Sequence, residues 1–246
     1  MISSVPSASI LHQILKRLES KKMGKIVASG GISFNDEEGL KVFEKIVELC
    51  HAKEPKVLYV PTAGHDNYDD FDDLKKQFSD LGCKEYDLLI LTDESLTYEE
   101  IENKIFSSDI VFVGGGNLKF LMDVWNRTGA TELFKKSYEK GIVLSGSSSG
   151  GMCWFERGYD DCGENNEFMF IDCLGLIPGC NCPHYHSEYW QSFDDVVSSQ
   201  DLDGIGIDGD AALVMNDGEI SGVLGVPERG IFKLSKENNY TREKIF

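Results

Sequence analysis

The 246-residue sequence contains no apolar run that approaches the roughly 18–20 residues needed to cross a membrane. Its N-terminus also lacks the apolar core and the cleavage site of a secretory signal peptide. Basic residues are scarce, since 24 Lys and Arg stand against 42 Asp and Glu and give a formal net charge of −18. Because nucleic acids and anionic membranes bind positive surfaces, this composition argues against both as partners.

Several cofactor and metal motifs are missing too. The sequence has no G-x-G-x-x-G and no P-loop Lys followed by Ser or Thr. Five Asp lie within residues 66–73, but without the spacing of a calcium-binding EF-hand loop, so we interpret them as a solvated acidic surface. The seven cysteines are odd in number and scattered, which favours reduced thiols in a cytoplasmic protein. We therefore expect no cofactor.

Apolar residues make up 41% of the chain, enough for one large α/β domain over residues 1–246. Residues 1–22 form an N-terminal extension, in which 10–22 is an amphipathic helix. Strands and helices then alternate. The predicted strands are 25–29, 56–60, 87–91, 110–113 and 142–145, and the main predicted helices are 36–50, 97–106, 118–126 and 130–140. This alternation predicts a mostly parallel sheet covered by helices on both faces.

The pattern changes beyond Phe155. Residues 156–167 are polar and are interpreted as a loop. Short apolar runs separated by G-D and D-G turns follow in 206–219, and 219–226 and 230–234 are further candidate strands. A late antiparallel extension of the same sheet fits this pattern.

The stretch from Gly141 to Phe155 carries the first candidate for chemistry. Residues 142–145 are a short apolar strand, 146–150 match G-x-S-x-G with Ser148 at the centre, and 152–155 indicate the start of an apolar helix. A strand, a sharp turn and a helix form a nucleophile elbow, whose flanking glycines tolerate the strained backbone. A flexible Ser-Gly loop is the alternative, although linkers are rarely flanked by apolar segments.

A second glycine cluster, V-G-G-G-N at 113–117, lies between a predicted strand and a predicted helix. Glycines let the backbone approach a ligand with N–H groups directed at it. In hydrolases with an elbow, one oxyanion donor is the N–H after the nucleophile, here Ser149, and the second comes from a neighbouring strand-end loop. Gly115 or Gly116 is available for that second position. A tight strand–helix turn without a ligand is the alternative.

A serine nucleophile needs a base, and the sequence has five histidines. His12 lies in the N-terminal extension, His51 follows a helix and His65 is in the acidic loop, which leaves His184 and His186. Elbow-type triads run Ser, acid, His along the chain. The acids that qualify by order are Asp160, Asp161, Glu164, Glu167 and Asp172.

The same histidine segment allows a zinc site as a competing interpretation, because Cys180, Cys182, His184 and His186 alternate. A strand advances about 6.6 Å per two residues, so a regular strand cannot bring all four to one ion. The usual C-x₂-C spacing is absent as well. Two cysteines packed in the core are the better interpretation, and we expect no metal.

Four motifs in order resemble a known family. They are V-G-G-G-N at 113–117, G-S-S-S-G at 146–150, G-L-I-P-G-x-x-C-P-H-Y at 175–185 and G-I-D-x-x-A-A-L-V at 206–214. Together they resemble the peptidase S51 family, which contains aspartyl dipeptidase (peptidase E) and cyanophycinase. The resemblance extends from about Lys25 to Leu234.

The resemblance implies a class I glutamine amidotransferase-like fold, that is, a flavodoxin-like three-layer α/β fold. It implies Ser148 as the nucleophile and His184 as the general base. The oxyanion N–H groups would then come from Gly116 and Ser149. Asn117 and Gly115 would lie beside the substrate. By the same resemblance Asp161 is the acid of the triad, with Asp160 as the alternative.

Two departures from the family pattern bear on activity. The family usually has Ala after the nucleophile, whereas Ser149 stands here and still offers its backbone N–H. Aspartyl dipeptidases bind an acidic side chain with a basic residue after the histidine motif, but 187–195 contain no Arg or Lys, which argues against a preference for N-terminal Asp.

The sequence as a whole predicts a cytoplasmic serine peptidase that acts on short peptides, as a monomer or a homodimer. A non-catalytic protein that binds a small molecule or peptide on the same fold is one alternative. A cyanophycinase-like isopeptide hydrolase is the other.

Overall fold

A computed structural model describes residues 24–34 and 36–246. Its strands are β1 (Lys25–Ser29), β2 (Lys56–Val60), β3 (Glu85–Leu88), β4 (Ile110–Val113), β5 (Val143–Ser147), β6 (Phe155–Asp160), β7 (Met169–Asp172), β8 (Ile177–Cys182), β9 (Gly204–Ile207), β10 (Ala211–Asn216), β11 (Glu219–Leu224), β12 (Ile231–Leu234) and β13 (Glu243–Lys244). Its helices are α1 (Glu37–Leu49), α2 (Phe71–Asp80), α3 (Tyr98–Phe106), α4 (Leu118–Thr128), α5 (Ala130–Glu139), α6 (Ser149–Met152) and α7 (Phe193–Val196). Short 3₁₀ turns cover Thr62–Gly64, Glu164–Asn166, Glu188–Trp190, Val197–Gln200 and Lys236–Asn238.

A seven-stranded sheet with the order β11-β10-β1-β5-β4-β2-β3 forms the centre. Its strands β1 to β5 are parallel, and β10 and β11 are added antiparallel beside β1. The predicted parallel sheet with a late antiparallel extension is therefore present. Parallel strands need crossover connections, and the helices predicted between them supply these.

Both faces of this sheet are buried, as successive residues of each strand show. In β1, Ile26 and Ala28 pack in one apolar cluster with α3, α4 and α5, while Val27 packs in another with α1 and α2. In β2, Leu58 belongs to the first cluster and Val57 to the second. Because side chains alternate between the faces of a strand, this division places helices on both sides. The predicted three-layer α/β arrangement is confirmed.

A second sheet was not expected from the sequence. It has six strands in the order β13-β12-β9-β8-β6-β7. The prediction of a loop over 156–167 is wrong for its first part, since β6 lies there, and the candidate strand at 230–234 joins this second sheet as β12. A loop was predicted here because β6 contains several polar residues. Glu156 is exposed, whereas Phe155, Gly158, Tyr159 and Asp160 are buried.

The prediction that 152–155 start a helix is wrong, because the helix after the elbow begins at Ser149 and Phe155 already lies in β6. Helix α6 contains only four residues and ends at Met152. Met152, Cys153, Trp154 and Phe155 are fully buried, so their apolar character reflects the core below the turn. A buried apolar run of four residues does not by itself distinguish a helix from a strand.

Helix α3 begins with a capping box, since Thr97 accepts a hydrogen bond from the Glu100 N–H and the Glu100 carboxylate accepts one from the Thr97 N–H. The amphipathic helix predicted at 10–22 lies outside the described residues. Within 24–34 and 36–246, no helix has the length and apolar character needed to span a membrane.

Trp154 offers a test of the core, because it connects the elbow region to the helical layer. Its ring is fully buried and lies 5.9 Å from Trp125 and 6.0 Å from Phe134 between ring centroids. Replacing it by Ala removes a large buried side chain and leaves a cavity, so we expect Trp154→Ala to lower the free energy of unfolding by about 3–5 kcal/mol. Urea denaturation measures this loss. Ile220→Ala, at a side chain that is 49% exposed, is the control and should cost far less; equal costs would contradict the placement of Trp154.

Candidate active site

The candidate catalytic residues lie at the carboxyl ends of neighbouring strands, where open α/β sheets bind ligands. Ser148 follows β5, and Gly115 and Gly116 lie in the turn after β4. Gly31 follows β1 and His184 follows β8 of the second sheet. The strand ends of both sheets therefore meet around one serine.

Ser148 lies at the apex of a sharp turn with φ of 55° and ψ of −119°. This strained conformation is allowed only because the flanking glycines carry no side chains. A Cβ at Gly146 would lie 2.2 Å from Gly150 O, and a Cβ at Gly150 would lie 2.1 Å from Val113 O. The Ser148 N–H donates to Ser29 O over 3.0 Å. The elbow therefore holds the serine at the carboxyl ends of β5 and β1.

The Ser148 hydroxyl and the His184 ring form the central contact of the site. Ser148 Oγ and His184 Nε2 are 2.9 Å apart, which is hydrogen-bonding distance. The backbone holds the histidine, because the His184 N–H donates to Gly30 O over 2.8 Å. A Cβ at Gly31 would lie 2.6 Å from His184 Cε1, so the ring rests directly on this glycine. The predicted nucleophile and base are brought together.

The environment of His184 keeps its imidazole neutral. Burial lowers the pKa of His184 below its ordinary value of 6.5, and the neighbouring His186 lowers it further. The negative charges of Asp161 and Asp210 oppose this effect. A neutral imidazole can accept a proton from a hydroxyl, so the direction of the shift suits a general base.

The glycine loop after β4 borders the serine. A Cβ at Gly115 would lie 3.3 Å from Ser148 Cβ and 3.9 Å from Ser148 Oγ. Among residues 24–34 and 36–246, the N–H groups of Gly116 and Ser149 donate to no protein acceptor. Ser149 is the first residue of α6, where N–H groups have no intrahelical partner. Both predicted oxyanion donors are therefore free to bind a ligand.

The residue that departs from the family pattern has a structural use. Ser149 Oγ donates to Gly116 O over 2.6 Å and so ties the elbow to the glycine loop. Asn117, predicted to lie beside the substrate, is the N-cap of α4, and its Oδ1 accepts from the Phe120 N–H over 2.8 Å. The amide therefore fixes the loop on which Gly115 and Gly116 lie.

The two candidate acids next to each other in sequence have different surroundings. Asp160 is buried, and its Oδ2 accepts from the Leu118 N–H over 2.8 Å, while burial raises its pKa to about 6. Asp161 Oδ2 accepts from the Tyr189 hydroxyl over 2.8 Å. Among the described residues, neither carboxylate makes a hydrogen bond to His184. Asp161 nevertheless lies near enough for its charge to act on the imidazole.

The remaining candidate acids have other partners or face another cleft, and the four residues of the zinc interpretation do not come together. Asp172 pairs with Arg157, and Glu164 and Glu167 are exposed beside another cleft. Cys180 and Cys182 are fully buried in an apolar cluster of the second sheet, whereas His184 contacts Ser148 and His186 Nδ1 accepts from the Gly209 N–H. In the described part of the chain, no group of three or more His, Cys, Asp or Glu is arranged to hold a metal ion.

The structure adds residues that the sequence interpretation missed. A cleft of about 260 Å³ adjoins His184 and is lined by Gly31, Ile32, Ser33, His184, His186, Gly209, Asp210 and Arg229. Asp210 accepts from both the N–H and the hydroxyl of Ser33. One signal could have identified Asp210, because G-I-G-I-D-G-D is an apolar strand followed by acids at its carboxyl end. Arg229 is distant in sequence and had no such signal.

Comparison with known proteins identifies the family. The sequence profile of Peptidase family S51 matches residues 26–223, which is most of the chain. The chain belongs to peptidase family S51. The uncharacterized peptidase YgaJ of Bacillus subtilis strain 168 is 28% identical over 195 residues, covering 78% of this chain and 83% of YgaJ. The uncharacterized peptidase Lin0382 of Listeria innocua is 29% identical over 118 residues, covering 46% of this chain and 55% of Lin0382.

Two solved structures share the fold of this S51 peptidase. A peptidase from an acI-B1 Actinobacterium superposes with a TM-score of 0.66 at 18% identity, covering 92% of this chain and 95% of that one. A candidate peptidase E protein from Listeria monocytogenes EGD-e gives a TM-score of 0.63 at 19% identity, covering 82% of this chain and 98% of that one. The predicted family and the predicted class of activity, a hydrolase of serine type, are confirmed.

The lowered pKa of His184 leads to a pH prediction for this S51 peptidase. Protonation of the His184 imidazole should abolish activity only below pH 6.5, because burial favours the neutral form. We expect kcat/KM to be constant near pH 7 and to fall on the acid side with a midpoint below 6.5. His186→Gln removes the second cause of the shift and should move the midpoint upward. A wild-type midpoint above 6.5 would contradict the assignment.

Proposed function

We propose that this S51 peptidase hydrolyses short peptides with Ser148 as the nucleophile and His184 as the general base. One observation carries the proposal: a strained serine at a strand–helix elbow lies 2.9 Å from the Nε2 atom of a partly buried histidine, whose pKa is lowered by this burial. A nucleophile within hydrogen-bonding distance of a base is the arrangement that activates a hydroxyl.

The reaction proceeds in two halves. Ser148 Oγ attacks the carbonyl carbon of the scissile bond, and its proton passes to His184 Nε2. The imidazolium then gives that proton to the leaving nitrogen as the C–N bond breaks, which leaves an acyl ester on the serine. Water attacks this ester with His184 again as base, and the proton returns to Ser148.

The negative oxygen of each tetrahedral intermediate is bound by the N–H groups of Gly116 and Ser149. These groups have no competing protein acceptor among the described residues. The Ser149 hydroxyl and the Asn117 cap hold the two loops in place before substrate arrives. Donors fixed in advance stabilise the developing charge without the cost of reorganisation.

Asp161 is the acid that we assign to the imidazolium. Its charge raises the pKa of His184, the direction that stabilises the protonated intermediate. Its hydrogen bond to the exposed Tyr189 hydroxyl holds it at the mouth of the site. Asp210 exerts a charge effect of the same sign from the other side of the ring and is the competing candidate.

The size of the cleft suits small substrates. The cleft beside His184 has about 260 Å³, slightly below the roughly 300–1,000 Å³ typical of small-ligand sites.

The state of the cysteines suits a reducing compartment. All seven cysteines are free thiols, which is the usual state in the cytoplasm. We therefore propose a cytoplasmic peptidase of small substrates.

Labelling and hydrolysis together test the nucleophile. Ser148→Ala should abolish adduct formation with a fluorophosphonate, seen by intact mass, and should lower kcat on a responsive dipeptide by about 10⁴-fold or more. The wild-type protein should carry one adduct. Ser198→Ala, on an exposed turn, is the matched control and should label and hydrolyse like the wild type.

The outcome separates the proposal from the alternatives. An adduct that persists in Ser148→Ala would place the nucleophile elsewhere. Absence of both labelling and hydrolysis in the wild type would favour a binding protein on the same fold. Cleavage of β-aspartyl isopeptides with no cleavage of α-linked dipeptides would favour a cyanophycinase-like activity.

Two Asn variants decide between the acids. Asp161→Asn keeps the size and an acceptor for Tyr189 but removes the charge, and we expect kcat to fall by up to about 10⁴-fold, the loss found when a triad acid is neutralised. Asp210→Asn should reduce kcat much less. Tyr189→Phe, which removes only the hydroxyl bound to Asp161, is the control for the Asp161 contact. A larger loss in Asp210→Asn than in Asp161→Asn would transfer the role to Asp210.

A further inference from the structure

Arg229 is the one cation among the residues that line the cleft beside His184. It comes from the turn between β11 and β12, far in sequence from the elbow and from the histidine motif. Within 24–34 and 36–246, its guanidinium forms no ion pair with any carboxylate. In a chain of net charge −18, a cation that forms no ion pair in a cleft beside His184 calls for an explanation.

The backbone around Arg229 is held in place by four hydrogen bonds. Its N–H donates to Val226 O over 3.2 Å, and Lys244 Nζ donates to its carbonyl over 2.9 Å. The next residue, Gly230, donates its N–H to Asp208 Oδ2 over 2.9 Å and accepts from the Asp208 N–H over 3.1 Å. The turn is therefore fixed to the carboxyl end of β9, and the arginine is positioned beside the cleft before any ligand binds.

Within the described residues, neither acid near Arg229 forms an ion pair or hydrogen bond with its guanidinium. Both oxygens of Asp210 accept from Ser33, through its N–H over 2.8 Å and its hydroxyl over 3.1 Å. Asp208 is buried, its Oδ2 accepts from Gly230, and its Oδ1 has no partner in the described part of the chain. The guanidinium donors therefore stay available to a ligand. Arg presents paired N–H groups that match the two oxygens of a carboxylate.

We propose that Arg229 binds the free α-carboxylate of the residue that leaves with the amine. This inference rests on the proposed function. The leaving nitrogen must lie within hydrogen-bonding distance of His184 Nε2 to receive its proton. In a dipeptide, the α-carboxylate is two bonds from that nitrogen, and it enters the cleft that His184 and Arg229 both line.

The size and polarity of the cleft agree with one leaving residue. Its volume of about 260 Å³ has space for a single amino acid, and Ile32 offers an apolar contact for a side chain. A residue with a further peptide bond in place of its carboxylate would put a neutral amide beside the guanidinium. Binding of the charged terminus therefore selects dipeptides over longer peptides.

The test uses substrate pairs that differ only at the C-terminus. For the X-Ala dipeptide cleaved fastest in a screen or, where none is cleaved, bound most tightly by Ser148→Ala, we compare X-Ala, its amide X-Ala-NH₂ and X-p-nitroanilide, which has no carboxylate. Wild type should prefer the free acid over the amide by about 10- to 100-fold in kcat/KM, as expected for charge-assisted hydrogen bonds. Arg229→Gln should remove most of this preference through KM, and it should lower X-Ala hydrolysis far more than p-nitroanilide hydrolysis. Arg229→Lys should recover part of it.

Arg127→Gln is the matched control, because it removes the same charge from an exposed position in the last turn of α4. It should behave like the wild type on all three substrates. Equal hydrolysis of X-Ala and X-Ala-NH₂ by the wild type would overturn the role of Arg229 while leaving the peptidase activity intact. The role of Arg229 would also be overturned if Arg229→Gln kept the preference for X-Ala over X-Ala-NH₂.

A binding measurement decides the case without turnover. Calorimetry on Ser148→Ala should show tighter binding of X-Ala than of X-Ala-NH₂, and the double variant with Arg229→Gln should bind both equally. Equal binding of acid and amide by Ser148→Ala would overturn the proposal even if no hydrolysis were found. A wild type that hydrolyses none of the three substrates, together with a Ser148→Ala variant that still discriminates, would contradict the proposed function and support the carboxylate site.

Discussion

The turn after β5 exists because three strand ends approach each other more closely than side chains would allow. Gly146 lies against the Gly150 carbonyl, and Gly150 lies against the carbonyl of Val113 at the end of β4. The Ser148 N–H is bound by the end of β1. The strained backbone of the serine is thereby fixed by packing on both sides, and strain of this kind persists only where the surroundings enforce it. The position of the hydroxyl follows from this contact.

The second sheet completes the site from the opposite direction. Strand β8 carries His184 to the end of β1, where its N–H bonds to Gly30 and its ring rests on Gly31. Strand β9 brings Asp208 and Asp210 to the same edge, and Asp208 in turn fixes the turn that carries Arg229. The central sheet thus supplies Ser148 and the free N–H groups, while the second sheet supplies His184 and the charged groups around the cleft.

Two carboxylates act on the charge of His184. Asp161, held by Tyr189, follows β6, and Asp210, held by Ser33, lines the cleft with Arg229. Burial lowers the pKa of the imidazole, and both carboxylates favour its protonated form. In the proposed reaction, these opposing influences suit a base that must accept a proton and release it in each half of the acyl transfer.

The sequence by itself determined the layers of the central sheet and the two residues of the central contact. The alternation of strands and helices is a local property, and G-S-S-S-G lies at a strand end that the apolar pattern predicted. The family resemblance then selected His184 over His186. Tertiary structure alone decided the rest. Residues 156–160 were predicted as a loop because β6 carries polar side chains, and Asp210 and Arg229 acquire their positions from strands paired across long sequence separations. Which charges face an imidazole depends on distances between such elements, and periodicity within one segment carries no information about those distances.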